Sequence, residues 1–321
     1  MNTYMTVKSY GKKAKSTAAA NELVRQEVER LEGILSTTIE GSDIYKINNS
    51  NVNELTKIPV SSETAFLIGR GADFYQMTGG AFNPALYPII REWGFTTGDY
   101  KVPEAERISQ LLEFTDFSKV EICGSSENPG SSGSTEISRA AGLQLDFGAI
   151  GKGYAGDRAL EILRGAGVES ALLDFGGNIQ VLGTKPDGSD WTVGVKNPWG
   201  REPVAAVKLH DACMITSGGY ERFFTGQDGK KYIHIFDSKT GRPVENDLES
   251  VTIICREGIY GDALSTSLFV MGLDKAIDFW QQRGRDFDFI ILTKDRGLVY
   301  SVPLENSISL LFDFDSVRVI E

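Results

Sequence analysis

Residues 143–183, LQLDFGAIGKGYAGDRALEILRGAGVESALLDFGGNIQVLG, carry the pattern that decides the fold. Two short apolar runs, LQLDFGAIG and SALLDFGGNIQVLG, are broken by glycines and are predicted to be strands, with a helical pattern between them at about 153–165. Further along, WTVGVKNP and YIHIFDSKTG repeat the strand pattern, and a helix is predicted at about 259–281. Because strands and helices are mixed without regular βαβ alternation, the sequence predicts an α+β fold rather than a doubly wound sheet.

The first half of the chain predicts one strand and three helices separated by loops. The strand is expected over Met5 to Tyr10, and the helices at about 16–35, 61–78 and 103–114. We interpret SDIYKINNSN, at 42–51, as a loop. The Gly/Ser-rich segment at 124–138 is interpreted as a possible surface loop.

Composition indicates a folded protein that does not bind nucleic acid. Of the 321 residues 41% are hydrophobic and 24% charged, which is ordinary for a globular chain. The formal net charge of −11 repels polyanions, and no cluster of Lys and Arg is interleaved with aromatic residues. A phosphate ligand is therefore expected to be held locally, by backbone N–H groups, one or two lysines or a metal cation.

Cysteine spacing and hydropathy exclude several other classes of protein. Cys123, Cys213 and Cys255 have no CxxC spacing and are odd in number, which indicates neither a zinc site nor a disulfide framework. No apolar run reaches the length of a membrane span, and the start MNTYMTVKSYGKK lacks the apolar core of a signal peptide. The sequence as it stands is expected to be cytoplasmic, but a shortened form of an exported or membrane-anchored protein would look the same.

The glycine-rich segment DFGAIGKGYA, at 146–155, joins a predicted strand to a predicted helix. Its glycines would let backbone N–H groups at the helix N-terminus approach an anion, and Lys152 would add a positive charge. It is not a Walker A loop, because Asp146 stands where the first glycine is required and Gly153 where Ser or Thr is required. Alone, the segment indicates phosphate binding and an ordinary helix start equally well.

The segment DFGGN, at 174–178, matches the Asp-Phe-Gly of protein kinases, but the other kinase motifs are absent. As a hairpin turn, Gly176, Gly177 and Asn178 would supply positive φ angles and would need no ligand. A hairpin is therefore the stronger interpretation of this segment on its own.

His234 lies in the run YIHIF, whose alternation predicts Tyr232, His234 and Phe236 on one strand face, and Asp237 is predicted to open a turn. The only other histidine, His210, has no such setting. His234 is a candidate general base or orienting group, although a lone strand histidine is more often a hydrogen-bonded structural residue.

Asp262 and Thr266, in the segment GDALST at 261–266, are four residues apart on a predicted helix. This spacing puts a carboxylate and a hydroxyl on the same helix face, one turn apart. Two oxygen ligands suit Mg²⁺, which fills its remaining positions with substrate phosphates and water. The alternative is a helix-capping aspartate followed by a core threonine.

Taken in this order, the segments resemble the ApbE family of FAD:protein FMN transferases. The segments that match the family are LSTTIEGSDIYKIN, TGGAFNPALYPIIREWGF, LDFGAIGKGYAGDRALEIL, LLDFGGNIQVLG, ITSGGYERFF, YIHIFDSKTGRPV and GDALSTSLFVMG. Together they cover most of the chain. The resemblance implies a single domain over residues 1–321, an α+β fold of two related and intertwined subdomains with FAD in the cleft between them.

The resemblance also implies roles for individual residues. Mg²⁺ would be held by Asp262, Thr266 and the carbonyl of Gly151. His234, Asp237 and Lys152 would be catalytic, with His234 as base or base-orienting group. The residues implied to contact the flavin nucleotide are Gly151, Lys152, Gly153, Asp157, Gly177, Asn178, Ser217, Gly218 and His234.

The implied reaction is Mg²⁺-dependent transfer of the FMN half of FAD to a Thr or Ser hydroxyl of an acceptor protein, with release of AMP. Two alternatives use the same pocket. An FAD pyrophosphatase would replace the hydroxyl with water and release FMN and AMP, and a non-enzymatic FAD-binding protein would need only the pocket. The sequence does not identify the acceptor.

Overall fold

The chain forms eight α-helices and eighteen strands within the residues that the structure describes. The structure is a computed structural model that describes residues 3–11, 14–51, 56–123, 135–283 and 285–321. The α-helices in these ranges are α1 (Ala14–Leu35), α2 (Asp43–Asn49), α3 (Ser62–Met77), α4 (Tyr87–Glu92), α5 (Ala105–Leu112), α6 (Gly151–Gly165), α7 (Gly258–Met271) and α8 (Leu273–Gln282). The strands are β1 (Met5–Tyr10), β2 (Ile58–Val60), β3 (Val120–Cys123), β4 (Thr135–Arg139), β5 (Ser170–Phe175), β6 (Asn178–Leu182), β7 (Trp191–Val195), β8 (Ala205–Leu209), β9 (Cys213–Gly218), β10 (Phe223–Thr225), β11 (Lys231–Ile233), β12 (Phe236–Asp237), β13 (Arg242–Pro243), β14 (Leu248–Cys255), β15 (Asp288–Thr293), β16 (Gly297–Ser301), β17 (Ile308–Leu310) and β18 (Ser316–Ile320).

The chain divides into two compact units, each built from separate stretches of sequence. The first unit contains residues 1–29, 150–221 and 245–321, and the second contains residues 30–149 and 222–244. Helices and antiparallel sheets are mixed within the chain, which confirms the predicted α+β class.

A large sheet organises the first unit. Among the described residues its strand order is β1-β5-β6-β9-β14-β15-β16-β18, antiparallel throughout except for the parallel pair β16 and β18. Side chains alternate across it: Met214 and Ile254 join the core shared with the small sheet β17-β8-β7, whereas Ile215 lies against Gly261 of α7. Helix α6 packs on β5 and β6, and helix α7 packs on β6, β9 and β14. Gly156 of α6 and Gly258 of α7 both lie against β6, which places the two N-termini on the same part of the sheet.

The second unit is built around the sheet β2-β4-β3 and an aromatic cluster. Trp93 is buried in this cluster, contacts the rings of Tyr232 and Phe236, and donates its indole N–H to the carbonyl of Gly241 (3.0 Å). The short pairs β10-β11 and β12-β13 carry Tyr232 and Phe236 into the cluster. This packing fixes the segment that contains His234.

Two predictions for this part of the chain are wrong. Residues 42–51 are not all loop, because Ser42 accepts the N–H of Tyr45 (3.0 Å) and starts α2, which buries Ile44 and Ile47. Residues 143–147 are not a strand. The side chain of Asn48 takes the place of a partner strand: it accepts the N–H of Leu145 (2.7 Å) and donates to the carbonyl of the same residue (2.8 Å).

Two predicted boundaries also change. Of the possible surface loop at 124–138, residues 124–134 lie outside the described residues, and residues 135–138 belong to β4, where Ile137 is buried between β2 and β3. The helix predicted at about 259–281 is two helices, α7 and α8, because Gly272 between them has φ +79°.

No helix in the described ranges is both long and apolar enough to cross a membrane.

Helix α6 ends in a Schellman motif, in which Gly167 donates to the carbonyl of Arg164 and Val168 to that of Leu163 (both 3.0 Å). Gly167 has φ +76°, whereas Gly165 is helical, and an added Cβ would meet nothing within 4 Å at either position. Gly167→Ala should therefore lower the free energy of unfolding by about 1 kcal/mol, through backbone strain alone. The matched Gly165→Ala should leave it unchanged or raise it, by up to about 1 kcal/mol. Urea unfolding of both variants checks this, and equal effects would contradict it.

Candidate functional site

The N-termini of α6 and α7 touch at two glycines. A Cβ on Gly153 would lie 2.3 Å from the carbonyl oxygen of Gly258, and a Cβ on Gly258 would lie 2.7 Å from the carbonyl oxygen of Gly153. No residue other than glycine fits at either position without movement of the backbone. The glycine-rich pattern of 151–156 is thus explained in part by the approach of a second helix.

Each of these two helices caps the other with a carboxylate. Gly153 donates its N–H to Asp262 Oδ2 of α7 (2.9 Å), while Gly258 and Ile259 donate theirs to the two carboxylate oxygens of Asp157 of α6 (2.6 and 2.8 Å). The N-cap residues of the two helices make no side-chain capping bond of their own. The exchange satisfies N–H groups that have no partner within either helix and sets a carboxyl group at each positive helix end.

Burial raises the pKa of both carboxyl groups. The pKa of Asp157 rises from 3.8 to about 7, through loss of solvent that outweighs the two N–H groups. Burial likewise raises the pKa of Asp262, which is 4% exposed, against the opposing effects of the Lys152 charge, the Gly153 N–H and the Asn178 amide. A cation beside Asp262 would favour the ionised form of this carboxyl group.

Hydroxyl groups surround the next turn of α7. Thr266 Oγ1 lies 3.1 Å from Ser217 Oγ on β9, and Ser217 Oγ lies 2.9 Å from Ser265 Oγ. The structure thus brings together six predicted residues of the first unit. They are Asp262, Thr266, Ser217, Gly153 and, through their effects on Asp262, Lys152 and Asn178.

Asp262 and Thr266 supply the kind of oxygen atoms that Mg²⁺ prefers. No group of three or more His, Cys, Asp or Glu side chains in the described ranges could hold a metal. A cation at Asp262 would depend on hydroxyls, carbonyls and the oxygens of a bound substrate, as is usual for Mg²⁺ with phosphates.

The predicted hairpin at 174–178 is present. Gly176 and Gly177 have φ +66° and +85° and form the two-residue connection between β5 and β6, while Asn178 is the first residue of β6 and lacks the expected positive φ. Asn178 is 1% exposed and lies beside Asp262.

The other predicted site residues of the first unit lie at the ends of helices and strands or stabilise them. Gly151 is the first residue of α6 and is buried, and Gly218 ends β9, where a Cβ would come within 2.8 Å of the Tyr220 ring. Asp157 stabilises the N-terminus of α7, and its implied contact with a flavin nucleotide stays a prediction.

His234 and Asp237 belong to the second unit. His234 lies between β11 and β12, so the strand predicted over this segment is interrupted. The residues on either side of it, Ile233 and Ile235, are both buried. His234 Nδ1 lies 3.1 Å from the carbonyl oxygen of Arg222. Because a carbonyl only accepts, Nδ1 carries the proton, and in the neutral ring Nε2 is the basic nitrogen.

Asp237 opens a turn, as predicted. Its side chain accepts the N–H of Lys239 (2.8 Å) and its carbonyl accepts that of Gly241 (2.9 Å). Arg222 anchors the start of the same segment by donating to the carbonyl of Phe95 (2.6 Å).

Gln180 was not among the predicted site residues. Its amide donates to the Gly153 carbonyl (3.0 Å) and to Asn178 Oδ1 (3.2 Å), and it is 1% exposed. A polar residue within the apolar run of β6 was the one available clue.

Comparison with known proteins finds one family model that matches most of the chain. The ApbE family model matches residues 1–291 of the chain. An FAD:protein FMN transferase of Treponema pallidum is 33% identical over 287 residues, covering 86% of this chain and 78% of the relative. One of Klebsiella pneumoniae is 32% identical over 282 residues, covering 87% and 84%.

Solved structures agree with the sequence comparisons. The apo form of the Pseudomonas stutzeri flavinyl transferase ApbE matches with a TM-score of 0.79 at 29% identity, covering 91% of this chain and 88% of that one. The Thermotoga maritima ApbE protein matches with a TM-score of 0.78 at 31% identity, covering 90% and 89%.

The raised pKa of Asp157 predicts how stability changes with pH. Between about pH 4 and 7 the folded protein holds a proton on Asp157 that the unfolded chain releases. The stability that this proton contributes to the folded state is therefore complete below the unfolded pKa of Asp157 and is lost as pH rises through about 7. Over this window wild type should lose stability relative to Asp157→Asn by about 1 kcal/mol per pH unit at the steepest. Urea unfolding at several pH values measures it, with the exposed Asp278→Asn as charge control. Parallel wild-type and Asp157→Asn curves would exclude a raised pKa.

Proposed function

The chain belongs to the ApbE family and is a flavin transferase, and we propose that it transfers the FMN half of FAD to a Thr or Ser hydroxyl of an acceptor protein, in a Mg²⁺-dependent reaction that releases AMP. The observation that carries the proposal is the meeting of the α6 N-terminus with Asp262 and the Thr266 hydroxyl. It joins a surface suited to phosphate with oxygen atoms suited to a divalent cation.

The residues at this meeting point fit Mg²⁺ chemically. Asp262 would supply the charged ligand, and Thr266 and the Gly151 carbonyl would supply neutral oxygens. Burial favours the neutral form of the Asp262 carboxyl group, which a cation would reverse. When bound, Mg²⁺ neutralises negative charge on the pyrophosphate of FAD.

The pyrophosphate of FAD would be bound by groups of the same region. Helix α6 presents its positive end at Gly151 to Gly153, and Lys152 adds a full charge. The Gly176-Gly177 turn lets the chain pass closely beneath a ligand without a side chain, and Asn178 would contribute a polar contact. These groups stabilise charge that develops on the phosphates and require no covalent intermediate with the protein.

In the proposed reaction the acceptor oxygen forms a bond to the FMN-side phosphorus, and the bond from that phosphorus to the bridging oxygen breaks, which releases AMP. The hydroxyl proton passes to a base. We assign this role to His234, because its Nδ1–H is directed to the Arg222 carbonyl and Nε2 is the basic nitrogen. Asp237 would hold the turn that follows and add negative charge near His234.

A first prediction tests transfer and its dependence on Asp262. Incubation with FAD, Mg²⁺ and a candidate acceptor should give the acceptor a mass gain of one FMN and an equal amount of AMP. Asp262→Asn should reduce the rate at least about 100-fold, since it removes the charged oxygen ligand. The exposed Asp278→Asn, on α8, is the matched control and should retain full activity.

The products separate the alternatives. Free FMN and AMP formed without an acceptor would indicate a pyrophosphatase, and FAD binding without any turnover would indicate a binding protein. An Asp262→Asn variant as active as wild type would refute the assignment of Asp262.

A second prediction compares the only two histidines of the chain. His234→Ala should lower the rate of FMN transfer about 10²- to 10⁴-fold, the usual contribution of a general base. His210→Ala, at an exposed position, should not change it. Single-turnover rates with saturating FAD make the comparison, and FAD binding measured by fluorescence shows whether the pocket is intact. Equal rates for the two variants would remove His234 from the mechanism.

A further inference from the structure

Gln180 lies between the two helix N-termini at the place where they approach each other. Its Nε2 would be 2.1 Å from a Cβ on Gly156 of α6 and 2.0 Å from a Cβ on Gly258 of α7. Glycine at these two positions therefore leaves the space that the Gln180 amide occupies. The side chain is enclosed, with 1% exposure.

One backbone carbonyl determines the orientation of two side-chain amides. The Gly153 carbonyl only accepts, so the atom 3.0 Å from it is the NH₂ group of Gln180. The same NH₂ group lies 3.2 Å from an atom of the Asn178 amide, which must then be the acceptor Oδ1. The NH₂ group of Asn178 consequently points away from Gln180.

The Asn178 NH₂ group is a buried donor directed at the proposed metal site. The Asn178 side chain interacts with the Asp262 carboxyl group, yet within the described part of the chain its NH₂ group makes no hydrogen bond of good geometry. A buried donor without a partner reduces stability, so an acceptor for the Asn178 NH₂ group is expected. Either a bound ligand or a small shift of Asp262 would supply it. Gln180, Asn178, Asp262 and Gly153 thus form a ring that lacks one contact.

Stability alone does not account for Gln180. Its Oε1 is buried and accepts no hydrogen bond among the described residues. A well-packed apolar side chain of the same volume would avoid the free-energy cost of burying this unpaired oxygen.

We propose that Gln180 is a positioning residue, which holds the Asn178 amide with its NH₂ group toward Asp262 and so prepares the carboxylate for a divalent cation. This inference rests on the proposed function. It predicts that Gln180 acts through Asn178 and not by itself.

The test is a double-mutant cycle with Mn²⁺ as the probe. Gln180→Met keeps the approximate volume and removes the donor. Mn²⁺ affinity is measured by electron paramagnetic resonance for wild type, Gln180→Met, Asn178→Ala, the double variant and Asp262→Asn. We expect Gln180→Met to weaken Mn²⁺ binding about tenfold in the wild-type background and less than about twofold in the Asn178→Ala background. Gln281→Met, at an exposed position on α8, controls for the substitution itself.

The outcomes separate this inference from the proposed function. If Asp262→Asn binds Mn²⁺ as wild type does, the proposed metal site is wrong. If Asp262→Asn loses binding but Gln180→Met does not, or if the effects of Gln180→Met and Asn178→Ala add, the positioning role is wrong and the metal site stands.

A measurement on the wild-type protein decides the matter if Gln180→Met does not fold. The side-chain amide protons of Gln180 should exchange slowly with solvent, and Mg²⁺ should shift the ¹⁵N signal of the Asn178 amide. Fast exchange at Gln180, or an Asn178 signal that Mg²⁺ leaves unchanged, would overturn the proposal.

Discussion

Two buried carboxylates hold the N-termini of α6 and α7 against each other, and the rest of the first unit is arranged around this exchange. Asp262 of α7 accepts from Gly153 of α6, and Asp157 of α6 accepts from Gly258 and Ile259 of α7. Two positive helix ends would otherwise lie side by side with these N–H groups unsatisfied. The exchange brings a helix end suited to phosphate into contact with a carboxyl group suited to a divalent cation.

The unfavourable features of this arrangement lie close together. Both carboxyl groups have raised pKa values because they are buried. Beside them, Gln180 Oε1 and Asn178 Nδ2 have no hydrogen-bond partner in the described part of the chain. Buried polar groups of this kind are expected where a protein must bind charge, since a bound cation and phosphate would satisfy them. Within the second unit, the Arg222 carbonyl sets the position of the proton on His234.

The sequence was sufficient to predict features whose causes are local. The hairpin at Gly176-Gly177, the start of α6 and the one-turn spacing of Asp262 and Thr266 all follow from short-range geometry, and all are present. What it missed depends on contacts between distant residues. Asp157 caps a helix 101 residues away, and Asn48 replaces a strand partner for Leu145 at a separation of 97 residues. Gln180 acquires its role only after two helices meet, which no local pattern indicates.

The central claim is that a divalent cation binds where α6 and α7 exchange their caps, and anomalous X-ray diffraction tests it most directly. Crystals of the protein soaked with Mn²⁺ and FAD, measured at the manganese edge, should show one strong anomalous peak in contact with Asp262 and Thr266, next to the pyrophosphate. A peak bound elsewhere, or FAD bound in the pocket with no manganese at Asp262, would contradict the account.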